Sequence, residues 1–413
     1  MNIPSMIKIR QDFNRDRIEN IEEVVKEEIL KSELVIEKGS NIAIAVGSRG
    51  VANIARVVKA TVECVKGMGG NPFIVPAMGS HGGATAQGQK EVLEGYGVTE
   101  EYIGAPIKSS MQVVELPQED LINKVYMDKN AYEADGTIII NRIKVHTDFH
   151  GPTESGLMKM CVIGLGKHKQ ALEIHRYGVY GLRELIPKTA RQVLKYGNII
   201  AGIGIVENAY DETAIIRVLK PSEIEEEEKK LLQYNKKNMP KLPVDKIDIL
   251  IVDELGKNVS GTGMDTNIIG RIKIRGQQEP ESPNITNIIV TDLTEESHGN
   301  ALGMGLADFI TKRLANKIDF KPTYENTVTS TFIERAKMPI VADTDKQAIQ
   351  FALRTFGPID IEKARIVRIK NTLKLDEIYV SDIILEEIKY RDDIEIIGEF
   401  QDLIDSEGEF IRF

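Results

Sequence analysis

The chain contains no tryptophan, only two cysteines, six histidines and 6% aromatic residues. Cys64 and Cys161 lie far apart in sequence without a metal-type spacing, so neither a disulfide framework nor a cysteine-built metal site is expected. No apolar run approaches the roughly 18 residues of a membrane span; "IIAGIGIV" (199–206) is about the longest. The opening "MNIPSMIKIRQDFNRDR" is charged throughout and lacks the apolar core of a signal peptide. There is no basic block either, and 53 basic against 63 acidic residues leave a net charge of −10. That balance argues against phosphate-backbone binding, so no nucleic-acid partner and no membrane partner are expected. What these absences leave is a reduced, cytoplasmic enzyme or binding protein with ordinary hydrophobic content.

At 413 residues the chain is long enough for two domains. "NIAIAVG" (41–47) reads as a buried strand, and Ile54, Val57, Val58, Val62 and Val65 follow at helical spacing until "GMGG". "NPFIVPAMG" (71–79) predicts a second strand, "ATAQGQKEVLEGYG" a helix, and "GTIIIN" (136–141) a third buried strand. Strands alternating with helices predict an α/β fold with largely parallel, Rossmann-like sheets. Ligands in such folds bind beyond the carboxyl ends of the strands, where strand order reverses. The segment 221–246, charged and then proline-punctuated, reads as a solvated helix and linker. It divides an N-terminal α/β domain (1–240) from a C-terminal one (241–413), with the active site in the cleft between them and the tail free to pack back on the first. In the second domain "IDILIVD" (247–253) and "TNIIVTD" (286–292) read as strands, "LADFITKRLANKI" (306–318) and "DKQAIQFALRTFG" as helices, and "RIVRIK" and "EIYVS" as strands.

Five of the six histidines fall between residues 81 and 175, and the candidates follow predicted strands. Arg49 lies in "VGSRG" after the first strand, and His81 in "MGSHGGATAQG" after the second. A glycine-rich turn into a helix offers backbone N–H groups to an anion, although neither phosphate-loop pattern is present. After the third strand comes "HTDFHGPTESGLMK" (146–159). His146 and His150 have an i, i+4 spacing, but Gly151 and Pro152 follow and no Glu completes H-E-x-x-H. Lys159 stands inside an apolar run, where an amine loses its charge readily and becomes a nucleophile or covalent attachment point; a snorkelling lysine is the plainer alternative. His168 reads as exposed between lysines, and His175 lies on a helix sixteen residues after Lys159. These residues outline an anion-friendly cleft without fixing a reaction.

The ordered set Arg49, His81, His146, Lys159, His175 and Lys273 resembles the nickel-pincer lactate racemases and their 2-hydroxyacid racemase and epimerase relatives. The matching segments are "GSRG", "GSHG", "KVHTDFHGPTESGLMK", "EIHRYG" and, in the second domain, "MDTNIIGRIK". The resemblance implies a pyridinium-derived mononucleotide with two sulfur arms, joined to Lys159 through a thioamide and holding nickel, with His175 as the protein's metal ligand. It implies His81 and His146 as acid/bases on opposite sides of the substrate carbon, with Ser48, Arg49, Gly79 and Ser80 around the cofactor. Arg49, Lys273, Asp265, Asn267 and His298 become substrate-binding positions. The implied partners are a small 2-hydroxyacid and the enzymes that make the cofactor.

The sequence also departs from the lactate enzymes. Val46 stands where an acidic residue is expected, Gly270 where a glutamine is, the His146–Lys159 interval is longer, and no tryptophan exists for the substrate pocket. A larger or more polar 2-hydroxyacid than lactate is therefore expected, with His298 and Arg271 available for the vacated roles. The alternatives are a zinc or iron hydrolase built on the histidines, and a non-catalytic anion- or nucleotide-binding protein.

Overall fold

The structure is a computed structural model that describes residues 3–47, 50–357 and 360–413. Ser48 and Arg49 lie outside them. The chain divides into two compact units, Asn14–Met239 and the N-terminal stretch to Phe13 joined with Pro240–Phe413. Assignment of the first residues to an N-terminal domain is therefore corrected. In β1 (Met6–Gln11) Met6 and Ile9 are completely buried, and the strand pairs antiparallel with the distant segment Glu377–Ser381. Burial of those two side chains outweighs proximity in sequence.

The unit Asn14–Met239 contains β2 (Asn41–Val46), β3 (Asn71–Pro76), β4 (Val113–Leu116), β5 (Val125–Asp128), β6 (Gly136–Arg142), β7 (Ile199–Glu207) and β8 (Thr213–Leu219). Its main sheet has the order β3-β2-β6-β7-β8. The first four strands are parallel and β8 is antiparallel, while β4 and β5 form a separate antiparallel pair. The near-continuous burial of Ile42–Val46 suits a parallel strand covered on both faces. One cover is the helix Ile54–Gly67, whose Val57, Val58, Val62 and Val65 enter the core as its spacing predicts. The chain steps outward from β2 to β3 and then returns across β2 to β6, so strand order reverses between β2 and β6. Loops leaving the carboxyl ends of β2, β3 and β6 accordingly sit where a ligand crevice is expected.

The other unit adds β9 (Lys246–Leu255), β10 (Asn284–Leu293), β11 (Phe309–Thr311), β12 (Ile340–Ala342), β13 (Ile366–Ile369), β14 (Glu377–Ser381) and β15 (Ile394–Ile396). Its eight-stranded sheet runs β12-β11-β10-β9-β13-β14-β1-β15. Strands β12 to β13 are parallel and the remaining pairs antiparallel. The helix expected over 306–318 is instead a strand and a short helix, Lys312–Asn316. Phe309 pairs with Ile289 of β10, and Thr311 accepts the Leu314 N–H at 3.3 Å, so the helix cannot start before its cap. The C-terminal tail meets β1 through Met6 and Gln401, within this same unit.

The helix expected within 221–246 is present and the two units divide just after it, but it is not simply solvated. The helix Ile224–Asn238 buries Ile224, Glu228, Leu231, Leu232 and Asn235. Most of these recur at i, i+4, i+7 and i+11, one continuous helical face. Among the described residues no helix is long and apolar enough to cross a membrane.

Candidate active site

Beyond β6 the chain closes a loop: the Lys144 and Ser155 backbones exchange hydrogen bonds of 2.8 and 3.2 Å. At its centre is Glu154, whose side chain is fully buried. One carboxylate oxygen accepts the His146 N–H at 2.7 Å and the other the Gly151 N–H at 3.3 Å. Lys236 pairs with it at 2.7 Å, and His150 Nδ1 lies 3.4 Å away. His150 is thus an exposed loop residue beside Glu154, and the two histidines do not share a helical face.

Burial pushes the Glu154 carboxyl up, but His150, Lys236 and the His146 N–H together hold it below its ordinary value of 4.5. A depressed carboxyl stabilises the fold above its unfolded pKa and loses that contribution as pH falls through the folded value. Acidification below about 4.5 is therefore expected to release the loop 145–155. Amide hydrogen exchange in that segment should accelerate there beyond the change seen in an E154Q variant, which lacks the titrating group.

Lys159 ends a single α-turn, Leu157–Lys159, which continues as a π-helical turn, Met160–Gly164. Such turns recur at functional sites. Lys159 Nζ lies 2.6 Å from His146 Nε2. The Asp148 N–H donates to His146 Nδ1 at 3.0 Å, which turns Nε2 towards the Lys159 amine. The Phe149 ring packs 4.6 Å from the imidazole and fixes its plane. Lys159 is part-buried, with its amine against the His146 ring.

His175 ends the helix Lys167–His175. Burial first, and then the nearby Lys159, push its imidazole below the usual histidine value, with Asp148 opposing. A neutral imidazole is the form that ligates metals. Among the described residues no group of three or more His, Cys, Asp or Glu side chains could hold a metal, so the hydrolase alternative draws no support from them.

His81 is exposed on the turn between β3 and the helix Ala86–Gly95. Gly79 precedes it at φ +62°, and a Cβ there would come within 3.0 Å of Ile163 in the turn that follows Lys159. Glycine thus allows the histidine loop and the lysine segment to meet closely. The helix N-terminus is partly used internally, because the Thr85 side chain accepts the Gly88 N–H at 3.1 Å. Gln89 holds the loop from behind, donating to the carbonyls of Gly79 (2.9 Å) and His81 (3.3 Å).

Gln89 is in turn approached by Lys167, which is completely buried and has φ +57°. Lys167 also donates to the Pro76 carbonyl at the end of β3 and faces Asp128 at 3.1 Å. Burial lowers the Lys167 pKa and raises that of Asp128, each opposed by the other's charge. Sequence reasoning passed over Lys167 beside the part-exposed His168; its neighbours "GLGK" gave no sign of a buried cation.

The remaining predicted residues lie in the other unit. Asp265 caps the short helix Thr266–Ile269, accepting the Asn267 N–H at 3.0 Å and the Asn267 side-chain amide at 2.8 Å. Lys273 donates to the Gly305 carbonyl at 2.8 Å, and burial lowers its pKa, with Arg271 adding to the effect. His298 is exposed at φ +47°. Arg271 pairs with Asp308 at 2.6 Å and donates to the Leu306, Ile285 and Thr286 carbonyls, a structural engagement that removes it from the vacated roles. Gly270 has φ +59°, and a Cβ there would collide with the Pro283 carbonyl, so a glutamine cannot occupy this position unstrained. Val46 is fully buried in β2.

Residues 41–219 match a family model described as a domain of unknown function (DUF362). No curated protein matches the chain. Among solved structures, the lactate racemase apoprotein from Thermoanaerobacterium thermosaccharolyticum aligns over 89% of this chain and 99% of its own, with a TM-score of 0.53 and 13% identity. The likeness is one of fold, a two-domain α/β architecture with largely parallel sheets.

Proposed function

We propose that this protein is an isomerase that inverts the carbinol centre of a 2-hydroxyacid, with Lys159 as the attachment point of a nickel-pincer nucleotide. The observation that carries the reading is the Lys159–His146 contact of 2.6 Å, with the Asp148 N–H bonded to the other ring nitrogen. It brings an amine and an imidazole together beyond β6, with His175 near enough for the lysine's charge to lower its pKa. The residues fit the group. One neutral imidazole beside the amine suits a metal whose other donors arrive with the nucleotide, and imidazole nitrogen suits nickel.

When bound, the group supplies a centre that accepts and returns the Cα hydride. The protein's own part is proton handling. His146 takes or returns the hydroxyl proton on one side of the substrate carbon, and His81 does so on the other. Imidazole serves both directions near neutral pH. Gln89 fixes the His81 loop, and Glu154 fixes the His146 backbone. Arg49, with Ser48, would clamp an anion by its planar fork. With Val46 buried, Gly270 closed to a side chain and no tryptophan in the chain, the preferred substrate is a 2-hydroxyacid larger or more polar than lactate.

The test is a panel of enantiopure 2-hydroxyacids, deuterated at Cα and offered to protein co-produced with the cofactor-making enzymes. Inversion with the deuterium retained is the expected result; inversion with full solvent exchange at Cα would sink the hydride route. H81A and H146A are each expected to lose at least 10²-fold in turnover, the usual scale of acid/base catalysis, while the mass of the Lys159 adduct persists. Loss of the adduct itself in both variants would show that the histidines act in loading rather than in proton transfer.

A further inference from the structure

Glu228 ends the acidic run 225–228 in the helix Ile224–Asn238, yet its residue is fully buried. One oxygen accepts the Met158 N–H at 2.9 Å and the carboxyl also bonds the Leu157 N–H, so it caps the turn that presents Lys159. The other oxygen has no hydrogen-bond partner. The close fit depends on Gly156, where a Cβ would strike the carboxylate. No basic side chain among the described residues pairs with Glu228; the titratable groups around it are the buried Cys161 on the π-helical turn and Glu225 on its own helix.

A buried carboxyl with an unmatched oxygen is costly, and such groups concentrate where function requires them. The same helix also reaches the rest of the site: the Asn235 side chain accepts the Val145 N–H at 3.0 Å, and Lys236 pairs with Glu154.

We propose that Glu228 is a positioning residue for Lys159: by holding the Leu157 and Met158 amides it fixes the turn from which the amine meets His146. The proposal rests on the reading of Lys159 as the reactive amine. Burial pushes the Glu228 carboxyl up to about 7, against the pull of the two amides, so its hold on the turn changes across the neutral range. At higher pH the carboxylate grips both amides by charge-assisted bonds; at lower pH the grip slackens.

The Leu157–Met158 pair is the only Leu–Met step in the chain. Labelling leucine carbonyls with 13C and methionine amides with 15N therefore isolates the Met158 amide as a single NMR cross-peak. In the wild-type chain that peak is expected to move with a midpoint near 7, and in E228Q to stay fixed. Competitive acylation of the chain, read by mass at Lys159, should show an inflection near 7 besides the amine's own, lost in E228Q. A static wild-type peak between about pH 5.5 and 8.5, roughly three units across, overturns the proposal, as does an unchanged Lys159 acylation profile in folded E228Q. The wild-type titration decides even if E228Q does not fold. It is also independent of cofactor loading, so a failed adduct would count against the functional reading and leave this one standing.

Discussion

Replacing Lys167 with methionine is expected to destabilise the unit Asn14–Met239 by about 3–5 kcal/mol, the scale for breaking a buried ion pair. Lys167 and Asp128 are both fully buried and 3.1 Å apart. With the ammonium gone, Asp128 keeps backbone N–H groups, Ala131 at 2.9 Å and Asn130, but no opposite charge and an unmatched second oxygen. The Pro76 carbonyl and Gln89 Oε1 lose a donor at the same time. Urea unfolding followed by far-UV circular dichroism measures the loss. The double variant K167M/D128N should recover a large part of it, because removal of the carboxylate's charge abolishes the stranded ion. A K167M loss below about 1 kcal/mol would place the pair on the scale of exposed ion pairs and contradict this account. Because Lys167 supports Gln89, and Gln89 holds the His81 carbonyl, turnover is expected to fall in K167M before the fold is lost.

The second large effect has the opposite sign. Glu228 has its folded pKa raised from 4.5 to about 7. Below 4.5 the group is protonated in both folded and unfolded chains, and its contribution to stability is at its most favourable. As pH rises from 4.5 towards 7 the unfolded chain releases the proton first, so stability falls, and above about 7 the loss is complete. The shift corresponds to about 3 kcal/mol. E228Q is uncharged throughout. It should match the wild-type chain near pH 4.5 and exceed it by up to about 3 kcal/mol above 7. A stability difference that does not vary with pH would contradict the burial argument. The comparison also exposes the trade at this position, since greater stability in E228Q is expected alongside a Lys159 whose presentation no longer follows pH.

Local periodicity made much of this legible from residues alone. Buried parallel strands such as 41–46 and 136–142 appear as short apolar runs, and the helix at 54–67 as a 3.6-residue pattern. The segment 306–318 misled because Phe309–Thr311 is too short to show alternation, and its strand character comes from pairing with β10. β1 was invisible for a related reason: its partners lie more than 360 residues away. The site divides in the same way. His81, His146 and Lys159 stood out by residue type after predicted strands. Glu154, Lys167 and Glu228 did not, because charged residues in polar stretches are ordinarily solvated and only tertiary packing buries these. Glu228 alone left a trace, in sharing an i, i+4, i+7, i+11 stripe with Ile224, Leu231 and Asn235.

The most direct test of the central claim is the intact mass and peptide map of the chain co-produced with the cofactor-making enzymes. One nucleotide-sized adduct located on Lys159, accompanied by bound nickel and absent from folded K159R, is the expected result. A folded chain with Lys159 unmodified and no nickel bound would contradict it.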